Sequence, residues 1–142
     1  MWRWSLAFLL ALAAPAARDA EGPVLRSKAV AWEEIVAAGN GRRSQVFDQR
    51  TATLDVLELH VTTVPPRQSS HAPHKHDDEE IVIVKEGTVE ISIEGRASRL
   101  GPGSVAFLAS NEMHGLTNVG DTPAVYHVIR WTSPGRKAAP AK

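Results

Sequence analysis

The 142-residue chain has no cysteine, which excludes disulfides, thiolate nucleophiles and cysteine-ligated zinc or iron–sulfur centres. It has no excess of either charge, because sixteen Lys and Arg stand against sixteen Asp and Glu. Such a balance leaves no electrostatic footprint for nucleic acid or for an anionic membrane surface. Internal repeats, heptads, helix-turn-helix patterns and Gly-rich phosphate loops ahead of a helix are also missing. Regulation by contact with DNA is therefore set aside. Long apolar runs are absent except for Leu6 to Ala14. That run is too short for a bilayer, which takes about 20 residues, and Pro15, Arg18 and Asp19 end it.

With Arg3 before it and Ala14-Pro15-Ala16 after it, the run has the layout of a secretory signal peptide over 1–16. Cleavage is expected after Ala16, with Ala17 as the next choice and an uncleaved anchor as the alternative. The expectation is export, periplasmic or secreted, without stable membrane insertion. Cleavage removes one basic residue, Arg3, leaving fifteen against sixteen acidic and a net charge of −1.

What remains is ordinary globular material, 43% hydrophobic and 23% charged, enough for one domain. Nine Pro, ten Gly and a middle dense in Val, Ile and Thr favour strands and turns over helices. Residues 17–45 read as an N-terminal lead, in which Ala29 to Ala38 is either a strand or a short helix, and Asn40 to Ser44 is a turn cluster. Residues 46–133 read as a β-barrel and 134–142 as a flexible tail. Leu57, Leu59 and Val61 alternate with Glu58, His60 and Thr62 in a half-buried strand that Pro65-Pro66 ends. A polar loop from Arg67 to Glu80 precedes the apolar strand Ile81 to Val84. Val89 to Ile93 and Ala97 to Leu100 form a hairpin, followed by strands over Ser104 to Leu108 and Val125 to Trp131. Ala109 to Gly115 reads as a loop. Short strands between turn signals mean an all-β sandwich or barrel.

The chemistry is concentrated in His74-Lys75-His76-Asp77-Asp78-Glu79-Glu80. In an extended chain, side chains two residues apart share a face, so His74 and His76 can address one metal ion, and Glu80 has the same parity. His114 follows 34 residues after Glu80, a delay that suits a barrel whose later strand returns beside an earlier one. Three imidazoles and one carboxylate suit divalent Mn, Fe, Co, Ni, Cu or Zn rather than Ca or Mg. The competing reading is a His- and acid-rich surface loop without metal. Glu79 replaces Glu80 if a bulge re-aims the strand. His71 is expected to be exposed, His60 and His127 to lie on strands, and His127 to be a hydrogen-bonded core residue, with pocket lining as the alternative; no second acid or base is identified, and a candidate would have to come from barrel-lining residues such as His60 or His127. Asn118 reads as a turn stabiliser, and Met113 and Phe107 as cavity lining or core packing.

These residues resemble the cupin superfamily. Its first motif, H-x-H followed by Glu and Gly, is matched by His74, His76, Glu80 and Gly87. Its second motif is matched by Gly95, Gly101-Pro102-Gly103, His114 and Asn118. Gln68 and Gly101 depart from the family's glycine and proline, and the stretch from Gly103 to His114 is longer than the pattern. The resemblance implies a double-stranded β-helix, or jelly-roll barrel, and a metal held by His74, His76, Glu80 and His114. The metal implied is Mn, Fe, Ni or Zn. The function implied is a metal-dependent enzyme (dioxygenase, decarboxylase or isomerase) acting on a small oxygen-rich anion. The alternative is a non-catalytic cupin that binds a metal or small molecule. A homodimer is expected, with the segment 29–38 extending a partner's sheet.

Overall fold

Turn residues divide the described residues into eight strands and one helix. A computed structural model describes residues 23–135. The expected signal peptide over 1–16 and most of the expected tail over 134–142 lie outside the described residues. The elements are α1 (Trp32–Ala37), β1 (Arg43–Gln49), β2 (Val56–Val64), β3 (Glu79–Glu86), β4 (Val89–Ile93), β5 (Arg96–Leu100), β6 (Val105–Leu108), β7 (His114–Asn118) and β8 (Ala124–Thr132). They form an antiparallel sheet in the order β1-β2-β8-β3-β6 and a second in the order β5-β4-β7. This is an all-β jelly roll.

The centre of the large sheet is β8, which pairs with β2 along one edge and β3 along the other. Its alternate residues Ala124, Tyr126 and Val128 point inward. Val82 and Val84 from β3, Val89 and Ile91 from β4, and Leu116 from β7 meet them in one core. Val82, Val84 and Val89 are at most 2% exposed, and burying each contributes up to about 2 kcal/mol.

The small sheet is widened by the loop before β3. Ser69 pairs with Thr117 and His74 with His114 in isolated antiparallel bridges, and the Asn118 N–H donates to the Gln68 carbonyl at 2.8 Å. Asn118, fully buried, locks the next turn. Its side-chain amide donates to the Val64 carbonyl at 3.0 Å and the Thr122 carbonyl at 2.8 Å, while its oxygen accepts from Gly120 N–H.

Several expectations are corrected. The segment 29–38 is helical over Trp32–Ala37 and supplies no strand to extend a partner's sheet. Glu33 and Glu34 in its first turn suit the positive end of the helix dipole. β1 begins at Arg43, inside the expected turn cluster, because Asn40 Oδ1 accepts from the N–H groups of Arg42 and Arg43 and completes the turn earlier. Ala109 to Gly115 is not loop throughout, since His114 and Gly115 open β7. His127 is not a core residue. It lies on the outer face of the large sheet, its ring 6.1 Å from Trp32 of α1. Phe107, 53% exposed, and Met113, 43% exposed, are not among the residues that line the cavity holding the three histidines.

Gly87 ends the turn between β3 and β4 at φ +79, and an added Cβ would lie 2.7 Å from Ala124 Cα and 2.8 Å from the Pro123 carbonyl oxygen. Both the backbone conformation and the space exclude a side chain. Gly87→Ala is expected to lower unfolding free energy by about 2–4 kcal/mol, measured by urea denaturation. A variant within 0.5 kcal/mol of the parent would contradict this account of the turn.

Candidate metal centre

His74 and His114 approach each other through their backbones. Each N–H donates to the other's carbonyl at 2.9 Å, which clamps the loop onto the first residue of β7. Two residues on, the His76 carbonyl accepts from Asn111 N–H at 2.8 Å. Gly115 leaves room for the loop, since a Cβ there would lie 3.0 Å from Pro73. The His114 ring thereby meets those of His74 and His76 edge to face, while His74 and His76 are tilted by 52°. Ring centroids are 4.7 Å apart for His74 and His114, 4.9 Å for His76 and His114, and 5.4 Å for His74 and His76. One nitrogen from each lies within 4.8 Å of the others.

The tautomers follow from the second nitrogens. His76 Nδ1 donates to the Asp78 carbonyl at 3.0 Å and His114 Nδ1 to the Glu112 carbonyl at 2.9 Å, so each Nε2 carries a lone pair. His76 Nε2, His114 Nε2 and His74 Nδ1 are buried without hydrogen-bond partners. Leaving one buried polar atom unsatisfied costs about 1–3 kcal/mol, and three side by side are the arrangement a cation satisfies. Burial, with the neighbouring His71, His114 and His76 behind it, lowers the His74 pKa and favours the neutral form that binds metal. The Glu80 carboxylate stands 3.4 Å from His76 Nε2. The donor set fits a divalent transition metal.

A second polar group lines the same cavity, whose volume is about 320 Å³. Glu58, 3% exposed, forms ion pairs with Arg43 and Arg130 and accepts from His60 Nδ1 at 3.1 Å. Burial works to raise the Glu58 pKa, but Arg130, His60 and Arg43 outweigh it and hold the carboxyl below its ordinary range. Burial and the charge of Arg43 lower His60 to about 4, so at neutral pH its ring is uncharged.

A family model described as Cupin domain matches residues 60–130. The chain belongs to the cupin family. No curated protein matches it, whereas solved structures do. A cupin protein from Bacteroides fragilis aligns at 19% identity over 80% of this chain and 89% of its own, with a TM-score of 0.59. KdgF from a Halomonas species aligns at 25% identity over 67% of this chain and 79% of its own, with a TM-score of 0.52. The DMSP lyase DddQ from Ruegeria pomeroyi aligns at 26% identity over 68% of this chain, with a TM-score of 0.54, and this cupin spans about half of it, 48%.

Of the residues singled out from sequence, His74, His76 and His114 come together, and Glu80 adjoins them beside His76. Glu79 pairs in register with Trp131, whereas Glu80 pairs with Leu108 and Arg130 and lines the cavity. His71 is exposed at the cavity mouth, its ring 4.4 Å from His74. The roles of Glu58, Arg43 and Arg130 have no counterpart in the sequence reading. The signal was the alternation of β2 itself, for the polar set Glu58, His60 and Thr62 faces the cavity and Leu57 and Leu59 face outward.

The depressed His60 pKa has a stability consequence. Between pH 6.5 and 4 the unfolded chain binds a proton at this residue that the folded cupin refuses, so stability present above pH 6.5 is lost as pH falls towards 4. With a chelator present, the cupin is expected to lose about 1–2 kcal/mol more between pH 7 and pH 5 than its His60→Gln variant. Urea midpoints at the two pH values measure the difference, and parallel losses would refute the assignment.

Proposed function

We propose that the chain is an exported small cupin that holds one divalent transition metal, Mn, Fe, Ni or Zn, through His74, His76, His114 and Glu80. On this reading it is a metal-dependent enzyme for a small, oxygen-rich anion. The observation that carries the proposal is the trio of buried imidazole nitrogens without partners, gathered in the wall of a cavity of small-molecule size. Bound there, the ion supplies Lewis acidity to a ligand oxygen. The chain's own residues set the rest. The Asp78 and Glu112 carbonyls fix the His76 and His114 tautomers, and Glu80 contributes one negative charge. A +2 ion with one carboxylate leaves the centre near +1, which favours an anionic oxygen ligand.

Catalysis is preferred to storage because charged and titratable groups (Glu58, His60, Arg43 and Arg130) converge on the same cavity. The likeness to a protein named as a lyase supports the same preference. Export rests on the signal-like segment 1–16. Pairing into a homodimer rests on the exposed edges of the sheets, which end in β1, β6 and β5.

Metal content decides the central claim. Protein purified from unsupplemented cells is expected to carry close to one metal per chain by inductively coupled plasma mass spectrometry. The His74→Ala/His114→Ala variant, folded by circular dichroism, is expected to retain less than a tenth of it. A parent that is empty and refuses added metal sinks the metalloenzyme reading.

A further inference from the structure

Glu58 and His60 are separated by one residue on β2 and face the cavity that also holds the three histidines. Glu58 is held ionised between two guanidinium groups, so it can only accept, and the His60 ring must place its proton on Nδ1. Its Nε2 then carries a lone pair. Stability does not account for the arrangement. Replacing buried ionic networks by apolar residues is often neutral or stabilising, and the neighbouring inward positions Val64, Val82 and Val128 are apolar. A buried carboxylate that orients one nitrogen of an imidazole and thereby fixes the lone pair on the other is the geometry of a base held in one tautomer.

We propose that His60, positioned by Glu58, is the proton acceptor of this site, and that the substrate is a carbon acid: a small 2-oxo or 3-oxo carboxylate. The proposal rests on the metal reading above and narrows its substrate class. In the step, the C–H bond beside the carbonyl breaks and its proton passes to His60 Nε2. The electron pair of that bond moves into the carbonyl and leaves an enolate, whose oxygen faces the histidine end of the cavity. Glu58 takes no proton but stabilises the imidazolium that forms. Return of the proton from Nε2 to the same or a neighbouring carbon closes the cycle without oxidant or reductant, as an isomerase or lyase half-reaction requires. Arg43 and Arg130 keep Glu58 ionised throughout.

Two measurements on the zinc-loaded full chain test this. Long-range proton–nitrogen correlation spectra at pH 7 are expected to show His60 protonated on Nδ1 alone. A proton on Nε2, or on both nitrogens, overturns the proposal. In Glu58→Gln the ring is expected to populate both tautomers, which a purely structural carboxylate would not control. In D₂O, exchange of the pyruvate methyl hydrogens is followed by proton spectra. The loaded parent is expected to outpace free zinc, and His60→Gln to fall by about 10²-fold at unchanged zinc content, with partial recovery on adding imidazole. Exchange in His60→Gln at the parental rate overturns His60 as the base. Zinc content is read on the same samples. A parent without zinc overturns the metal reading and this proposal with it. A zinc-bound parent that exchanges pyruvate no faster than free zinc overturns only the carbon-acid proposal.

Discussion

Two backbone hydrogen bonds between His74 and His114 hold the site together. They join a polar loop to the edge of the small sheet. Without that bridge the loop would carry two of the three imidazoles into solvent. With it, residues 40 positions apart in the chain present nitrogens within 4.8 Å of one another. The same pairing continues towards Gln68 and Asn118, so the loop behaves as an added strand. Loop closure is entropically costly, and the bridges, with the buried amide of Asn118 at the far end, offset it.

The cavity that results has two ends of different character. At one, three imidazoles present buried nitrogens without hydrogen-bond partners to a shared point. At the other, an ionised carboxylate is neutralised by two guanidinium groups and orders a neutral histidine. Both ends are built on sheet strands or on a loop clamped to the small sheet, which restrains their side chains more tightly than free loops would. Tyr126, Val128 and Leu116 lie among the lining residues, and their apolar surfaces keep the dielectric low, so each charge there acts more strongly than in water.

The two faces of the large sheet invert the usual pattern. Phe107, Ile81, Ile129, Leu59 and Phe47 stand in register across the outer face from β6 to β1. Trp32 of α1 lies over part of that face, against His127, with the Lys85 ammonium 4.2 Å above its ring. The inner face combines the valine core with Glu58, His60, Glu80 and Arg130. Both faces of β2 are therefore half apolar in different senses, and alternation alone does not say which one turns inward. For this reason the sequence gives no sign of the role of Glu58, and His127, which shares its face with Val125, Ile129 and Trp131, reads as a core residue.

Local chemistry was enough to read the class of the fold and the identity of the clustered histidines. Pro65-Pro66, Gly87, Gly95 and Gly101-Pro102-Gly103 cut the chain where strands must end, because their backbone conformations are set by their own covalent structure. The spacing of His74 and His76 places them on one face because extended chains repeat every second residue. The helical choice at Trp32–Ala37, the strand that begins at His114 and the inward turn of Glu58 and His60 were decided by tertiary structure. Each depends on a partner distant in sequence: the outer sheet face for α1, His74 for β7, and Arg43 with Arg130 for Glu58. A buried charge is tolerated only where its counter-charges arrive, and where they arrive is a property of the closed barrel.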